Sequence, residues 1–172
     1  MIKAGIIGAT GYAGAELARL LLQRDDVELV WYGSRSYVGE DFASIYRNVA
    51  HAVSEPCKDD DMAKLAEMAD VIFTATPQGF CASQVTEDIL SKTKIIDLSA
   101  DFRIKDVDVY EKWYKIKHAT PQFIGEAVYG LPEINREKIK HARLIANPGC
   151  YPTCSFLSTY PLVKEGIIDP NT

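Results

Sequence analysis

A chain of 172 residues, 47% hydrophobic and 25% charged, can bury one sizeable core but is too short for two ordinary large domains. With 24 acidic against 19 basic side chains its formal charge is -5, which weighs against nucleic acid or an anionic membrane as a partner and leaves room only for a local basic pocket. No apolar run approaches the roughly 20 residues that span a bilayer, and the opening MIKAGIIGATGYAG reads as a buried strand, not an export signal. The expectation is a soluble, cytoplasmic protein acting on a small molecule.

In chain order, residues 2–7 predict a strand, 13–23 a helix and 27–32 a second strand, which together make one βαβ unit. Ala13, Leu17, Leu20 and Leu21 share one face of that helix, and Glu16, Arg19 and Gln23 take the other. Beyond a polar loop, 60–68 predicts a helix with acids near its start, 71–76 a buried strand, 81–90 a helix and 94–98 a strand. Residues 103–140, punctuated by Pro121, Gly125, Gly130 and Pro132, read as an irregular excursion over this domain. The pattern then returns to a short strand at 143–146 and a helix at 152–164, with a kink expected at Pro161. The alternation implies an α/β fold of Rossmann type, a doubly wound parallel sheet covered on both faces.

Gly8, Thr10, Gly11, Tyr12, Ala13 and Gly14 lie in a GxxGxxG turn between the first strand and the first helix, the context that dinucleotide binding requires. Glycines there allow a tight turn and bring backbone N–H groups close to a pyrophosphate at the positive end of the helix. Where a binder of the unphosphorylated cofactor places an acid, after the second strand, this chain has Gly33-Ser34-Arg35-Ser36. Arg35 can neutralise a 2′-phosphate, with Ser34 and Ser36 as hydrogen-bond donors, so NADP(H) is expected over NAD(H); the alternative is a solvated loop arginine. The stretch Thr76-Pro77-Gln78-Gly79 follows another strand, and Pro77 and Gly79 either line the cofactor channel or form an ordinary turn.

The four cysteines lack paired CxxC spacing and have no histidine cluster nearby, so no metal site is expected. Cys57, Cys81 and Cys154 read as small buried hydrophobes. Cys150, in Asn147-Pro148-Gly149-Cys150-Tyr151-Pro152-Thr153, sits between a strand and a helix, where the helix's free N–H groups favour a thiolate and can hold a developing oxyanion. It is the candidate nucleophile.

NPGCYPT, GATGYAG, the stretch Leu98-Ser99-Ala100-Asp101-Phe102-Arg103 and the stretch Tyr129-Gly130-Leu131-Pro132-Glu133 together resemble the amino-terminal portion of the N-acetyl-gamma-glutamyl-phosphate reductase family of arginine biosynthesis. The resemblance implies NADPH-dependent reduction of an acyl phosphate to an aldehyde through a thioester on Cys150. Ser99 and Arg103 are candidates for gripping the substrate's carboxylate or phosphate, although an ion pair of Arg103 with Asp101 is an equal reading.

It further implies that residues 1–149 are the cofactor domain and 150–172 lead into a second, substrate and dimerisation domain. That domain and the family's catalytic histidine would lie beyond Thr172, since His51, His118 and His141 match no motif of the family. The full-length protein would be a homo-oligomer. Three rivals stand beside this reading. One is a reductase like aspartate-semialdehyde dehydrogenase. Another is an extended short-chain reductase using Tyr160 and Lys164, disfavoured by Pro161 within the pair. The third is a non-catalytic NADP-binding module.

Overall fold

Apolar, β-branched runs pair side by side in the computed structural model, which describes residues 1–169 and 171. Six strands, β1 (Ile2–Ile7), β2 (Val27–Tyr32), β3 (Val71–Thr74), β4 (Lys94–Asp97), β5 (Val128–Tyr129) and β6 (Leu144–Ala146), form one sheet in the order β2-β1-β3-β4-β6-β5. Every neighbouring pair is parallel. The helices are α1 (Tyr12–Leu21), α2 (Phe42–Ile45), α3 (Met62–Ala66), α4 (Phe80–Gln84), α5 (Glu87–Lys92), α6 (Val107–Tyr114), α7 (Pro132–His141) and α8 (Cys150–Lys164).

Both faces of the sheet are covered, because consecutive strand residues point to opposite sides. Ile7, Trp31 and Ile72 join Met62, Leu65, Cys81, Ile89 and Leu90 in one apolar cluster, while Ile6, Tyr32 and Phe73 join Leu17, Ala18, Leu21 and Phe42 in the other. The α/β, Rossmann-type architecture is therefore present. No helix among the described residues is long and apolar enough to cross a membrane.

Several boundaries differ from expectation. The helix expected at 81–90 is two: Val85 takes extended dihedrals, and the Thr86 hydroxyl accepts the Ile89 N–H at 3.2 Å to start α5. The helix expected at 60–68 is the shorter α3, capped by Asp61, which accepts the Lys64 N–H at 3.0 Å. The excursion at 103–140 is not irregular, since it contains α6, β5 and α7, and β5 extends the sheet beyond β6. Its elements escaped the periodicity because β5 is two residues long and no residue of α7 is buried. The last helix begins at Cys150, not at 152, and runs through Pro161 as one element.

The loop after β4 is held by buried carboxylates. Asp97 accepts from the Thr74 hydroxyl at 2.7 Å, from the Ser99 hydroxyl at 2.7 Å and from the Ser99 N–H at 3.0 Å. Asp101 accepts from the Gly79 and Ala82 N–H groups at 2.7 and 2.9 Å and from the Tyr110 hydroxyl at 2.8 Å. It thereby supplies the cap that Gly79, at the start of α4, cannot provide itself. Beside it, His118 Nδ1 accepts the Thr120 N–H, which makes Nε2 the donor to the Asp101 carbonyl at 2.7 Å. Asp101→Ala is expected to cost about 2–4 kcal/mol in urea unfolding, because it strands two buried donors and a part-buried one, whereas Tyr110→Phe should cost about 1 kcal/mol. Equal losses for the two variants would mean that the α4 cap is not carried by Asp101.

Candidate cofactor cleft and nucleophile turn

Between β1 and α1 the chain turns within a space that only glycine permits. Gly8 has a φ of +78°, and a Cβ there would lie 2.4 Å from the Ala75 carbonyl oxygen. At Gly14 a Cβ would lie 2.2 Å from the Gly8 carbonyl oxygen, so the first turn of α1 rests directly on the loop. Gly11, the residue before α1, offers no side-chain cap, and the first bond into the helix is the Ala15 N–H to the Gly11 carbonyl at 2.8 Å. The N–H groups of Tyr12, Ala13 and Gly14 are thus left at the positive end of the helix. Ala13 is exposed and the Tyr12 side chain is almost fully so. Thr10 is held by its side chain on Ser34 and by the Tyr46 hydroxyl, which donates to the Thr10 carbonyl at 2.9 Å.

Gly8, Thr10, Gly11, Ser34, Arg35 and Ser36 line one cleft of about 250 Å³, together with Asp60, Ala75, Thr76 and Pro77. Ser34 is buried; its hydroxyl shares a 2.8 Å hydrogen bond with the Thr10 hydroxyl and accepts the Tyr37 N–H at 3.2 Å, so it braces the loop. Arg35 and Ser36 are exposed. Arg35 lies 4.8 Å above the centre of the Phe80 ring and donates through Nε to Asp60 Oδ2 at 3.2 Å. Burial pushes the Asp60 carboxyl above the usual carboxylate range, opposed by the Gly8 N–H and by Arg35. Asp60 Oδ1 and the Thr76 hydroxyl are the two buried side-chain polar atoms without a hydrogen-bond partner among the described residues, and both residues line this cleft.

The free N–H groups, the glycine cradle and the orphaned polar atoms fit the diphosphate and sugar of a dinucleotide. Asp60 and Phe80 were not singled out in the sequence. Three acids in a row, Asp59 to Asp61, gave only a helix-start signal, and Asp61 satisfies it. What carries Asp60 into the cleft is the segment before it. Lys58 bridges Gly33 in parallel, and the Ser34 N–H donates to the Lys58 carbonyl at 2.8 Å. Of the stretch after β3, Pro77 reaches the cleft, whereas the Gly79 N–H is already spent on Asp101.

At the end of β6, Gly149 precedes α8 without a side-chain cap, and Cys150 is the first helical residue. The Cys150 and Tyr151 N–H groups precede the first bonded one, that of Thr153 to the Gly149 carbonyl at 3.1 Å. Cys150 is exposed, and Cys57 and Cys81 are buried as expected, with burial raising both thiols. Cys154 corrects the sequence reading: it is exposed, because α8 buries none of its residues.

Arg103 makes no ion pair with Asp101. Its Nε donates to the Asn147 carbonyl at 2.7 Å and its Nη2 to the Leu98 carbonyl at 2.6 Å, which ties the loop after β4 to the turn that carries Cys150. Its Nη1 lies 3.3 Å from where a Gly149 Cβ would stand, beside the turn that carries Cys150. Ser99 is buried and its hydroxyl is taken by Asp97, so it belongs to the framework of the loop and has no hydroxyl free for a ligand. No group of three or more potential metal-ligating side chains occurs among the described residues.

The family model described as semialdehyde dehydrogenase, NAD binding domain, matches residues 3–142. The chain is 66% identical over 172 residues to the N-acetyl-gamma-glutamyl-phosphate reductase of Lachnoclostridium phytofermentans and 65% identical over 173 residues to that of Lachnospira eligens. It is covered in full in both comparisons and spans 50% of each relative's length. Among solved structures, aspartate semialdehyde dehydrogenase II of Vibrio cholerae, complexed with ASA, aligns with a TM-score of 0.63 at 17% identity, over 95% of this chain and 47% of that one. The aspartate semialdehyde dehydrogenase of Candida albicans, with NADP, aligns with a TM-score of 0.59 at 15% identity, over 96% and 47%. At these identities the structural likeness is one of fold.

The glycine turn yields a direct test of its geometry. Gly14→Ala drives a methyl into backbone and should lower stability by about 1–3 kcal/mol. Gly11→Ala, whose Cβ would stand 3.5 Å from the Gly8 carbonyl, should unfold close to wild type. Thermal denaturation of both variants decides it, and a Gly14→Ala protein as stable as Gly11→Ala would refute the close-packed turn.

Proposed function

Because the chain belongs to the semialdehyde dehydrogenase NAD binding domain family, we propose that it is the cofactor-binding and nucleophile-bearing part of an oxidoreductase. The reaction is NADPH-dependent reduction of N-acetyl-gamma-glutamyl phosphate to N-acetylglutamate semialdehyde, in arginine biosynthesis. The observation that carries this is the coincidence, on one chain 66% identical to a reductase of that name, of an uncapped glycine cradle with an exposed cysteine at a helix start. Residues 1–149 hold the cofactor and 150–172 carry the nucleophile turn toward a substrate domain. The setting is cytoplasmic, and the full-length protein is a homo-oligomer.

In this reading the N–H groups of Tyr12, Ala13 and Gly14 hold the pyrophosphate, and Arg35 with Ser36 meets the 2′-phosphate that distinguishes NADP(H) from NAD(H). Pro77 and Thr76 line the path toward the nicotinamide end. Cys150 Sγ attacks the acyl carbon, the carbon–oxygen bond to phosphate breaks, and a thioester on Cys150 results. The Cys150 and Tyr151 N–H groups hold the oxyanion that develops in this step. Arg103, anchored by two carbonyls, turns its remaining Nη1 toward the departing phosphate or the substrate carboxylate. NADPH, when bound, would supply hydride to the thioester carbonyl carbon, after which the carbon–sulfur bond breaks, the aldehyde leaves and Cys150 returns to its thiolate.

Cys154, exposed and one helical turn further along α8, is the internal control for the nucleophile. Near neutral pH, iodoacetamide should alkylate Cys150 roughly tenfold faster than Cys154, because only Cys150 stands among the free N–H groups of the helix start. Equal rates would reduce Cys150 to a solvent-exposed thiol and sink the assignment. For the cofactor, NADPH should bind more tightly than NADH, and Arg35→Ala should erase most of the difference in a fluorescence titration; equal affinities in the wild type would exclude the NADP reading.

A further inference from the structure

We propose that Asp60 is a positioning residue for cofactor discrimination, holding Arg35 over Phe80 so that the guanidinium stands ready for a 2′-phosphate. The inference rests on the assignment of Arg35 to NADP(H) and extends it to a residue that touches the cofactor only through Arg35. Asp60 is delivered to this place by the Lys58 bridge to Gly33, which runs the acidic segment alongside the loop after β2. Its side chain is 11% exposed, against 68% for Arg35, so a largely buried group anchors a solvated one.

The geometry of the contact matters. Asp60 engages Nε at 3.2 Å, and no hydrogen bond occupies the Nη atoms of Arg35 among the described residues. The edge of the guanidinium that recognises phosphate in a bidentate manner is therefore left open. Phe80 supports the same guanidinium from below, with the ring centre 4.8 Å away. An arginine held at Nε and at its flat face has lost much of its rotamer freedom before any ligand arrives, so less is lost on binding.

The carboxylate itself is poorly satisfied. Asp60 Oδ1 is buried without a well-aligned hydrogen-bond partner among the described residues, and only the Gly8 N–H and Arg35 favour its charged form, an arrangement that costs stability and that an apolar side chain would avoid. Among the described residues, Arg35 is the one cation it pairs with. The pair faces the same cleft as Gly8, Thr10 and Ser36, at the end of β2 where an acid accepting ribose hydroxyls would otherwise stand. Here the acid grips the arginine instead.

Calorimetric titration of NADPH and NADH into the wild type, Asp60→Ala, Asp60→Asn, Arg35→Ala and the Asp60→Ala/Arg35→Ala double variant tests this. Asp60→Ala should weaken NADPH roughly tenfold and NADH less than about twofold. Asp60→Asn, whose amide oxygen still accepts from Nε, should keep most of the NADPH affinity. In the Arg35→Ala background, removing Asp60 should add less than about twofold. The proposal is overturned if Asp60→Ala weakens both cofactors alike, if its effect persists without Arg35, or if NADPH binds unchanged or more tightly. Should Arg35→Ala leave the NADPH to NADH ratio untouched, the NADP reading itself falls and takes this inference with it. If Arg35→Ala collapses the ratio and Asp60→Ala does not, only the positioning role is lost.

Discussion

Parallel pairing places the carboxyl ends of all six strands at one edge of the sheet, and the loops that follow them have to meet there. Strands spaced by about 4.8 Å put the loops after β1 and β6 three spacings apart, or about 14 Å, with those after β3 and β4 between them. Because the chain runs from β1 out to β2 and then back across to β3, the loops on either side of β1 diverge and leave a crevice outside the sheet. The cleft lined by Gly8, Arg35 and Thr76 is that crevice. Its position follows from topology before any side chain is considered.

A crevice holds a ligand only if its walls stay in place, and here the stiffening comes from polar groups that were removed from water. Asp97 and Asp101 are wholly buried, and each accepts three hydrogen bonds, which join β3, α4 and α6 to the loop after β4. Arg103 continues the chain of contacts from that loop to the turn before Cys150. A displacement of any one of these groups would leave buried donors or acceptors unpaired, a cost comparable to a sizeable part of a domain's net stability. The turn that carries Cys150 is accordingly braced against the cleft side of the edge through three successive loops.

The parts of this arrangement that the sequence disclosed are those where local signals agree with tertiary ones. Ile2–Ile7, α1 and Val27–Tyr32 were legible because the apolar periodicity changes from strand to helix and back, with glycines at the joint. The place of Cys150 at a strand-to-helix turn was legible because glycine and proline flank it between an apolar strand and a helix. Ser99 and Arg103 were found as a motif, but a motif does not say whether a hydroxyl faces a ligand or a buried carboxylate, and Ser99 faces Asp97. The break between α4 and α5 depends on one extended residue, Val85, in the midst of good helix formers, and periodicity does not register it. Asp60 was invisible for a different reason, since its place in the cleft depends on a bridge between residues 33 and 58, a tertiary contact.

That last case bears on how cofactor preference is read from such chains. The usual inference inspects the residue after β2, where an acid favours ribose hydroxyls and an arginine favours a 2′-phosphate. By that rule Arg35 alone decides. The cleft nevertheless contains an acid at the same place, imported from the segment that leads into α3, and its carboxylate lies in contact with the arginine. Two opposite charges 3.2 Å apart present a ligand with a dipole whose outcome depends on which atoms are already engaged. With Nε bound to Asp60 and the guanidinium face resting on Phe80, the groups left for a ligand are the Nη donors, and these favour an anion. On the proposed reading the preference belongs to the assembled trio of Arg35, Asp60 and Phe80, so an arginine in the same sequence position without its acid and its ring would be a weaker guide to the cofactor.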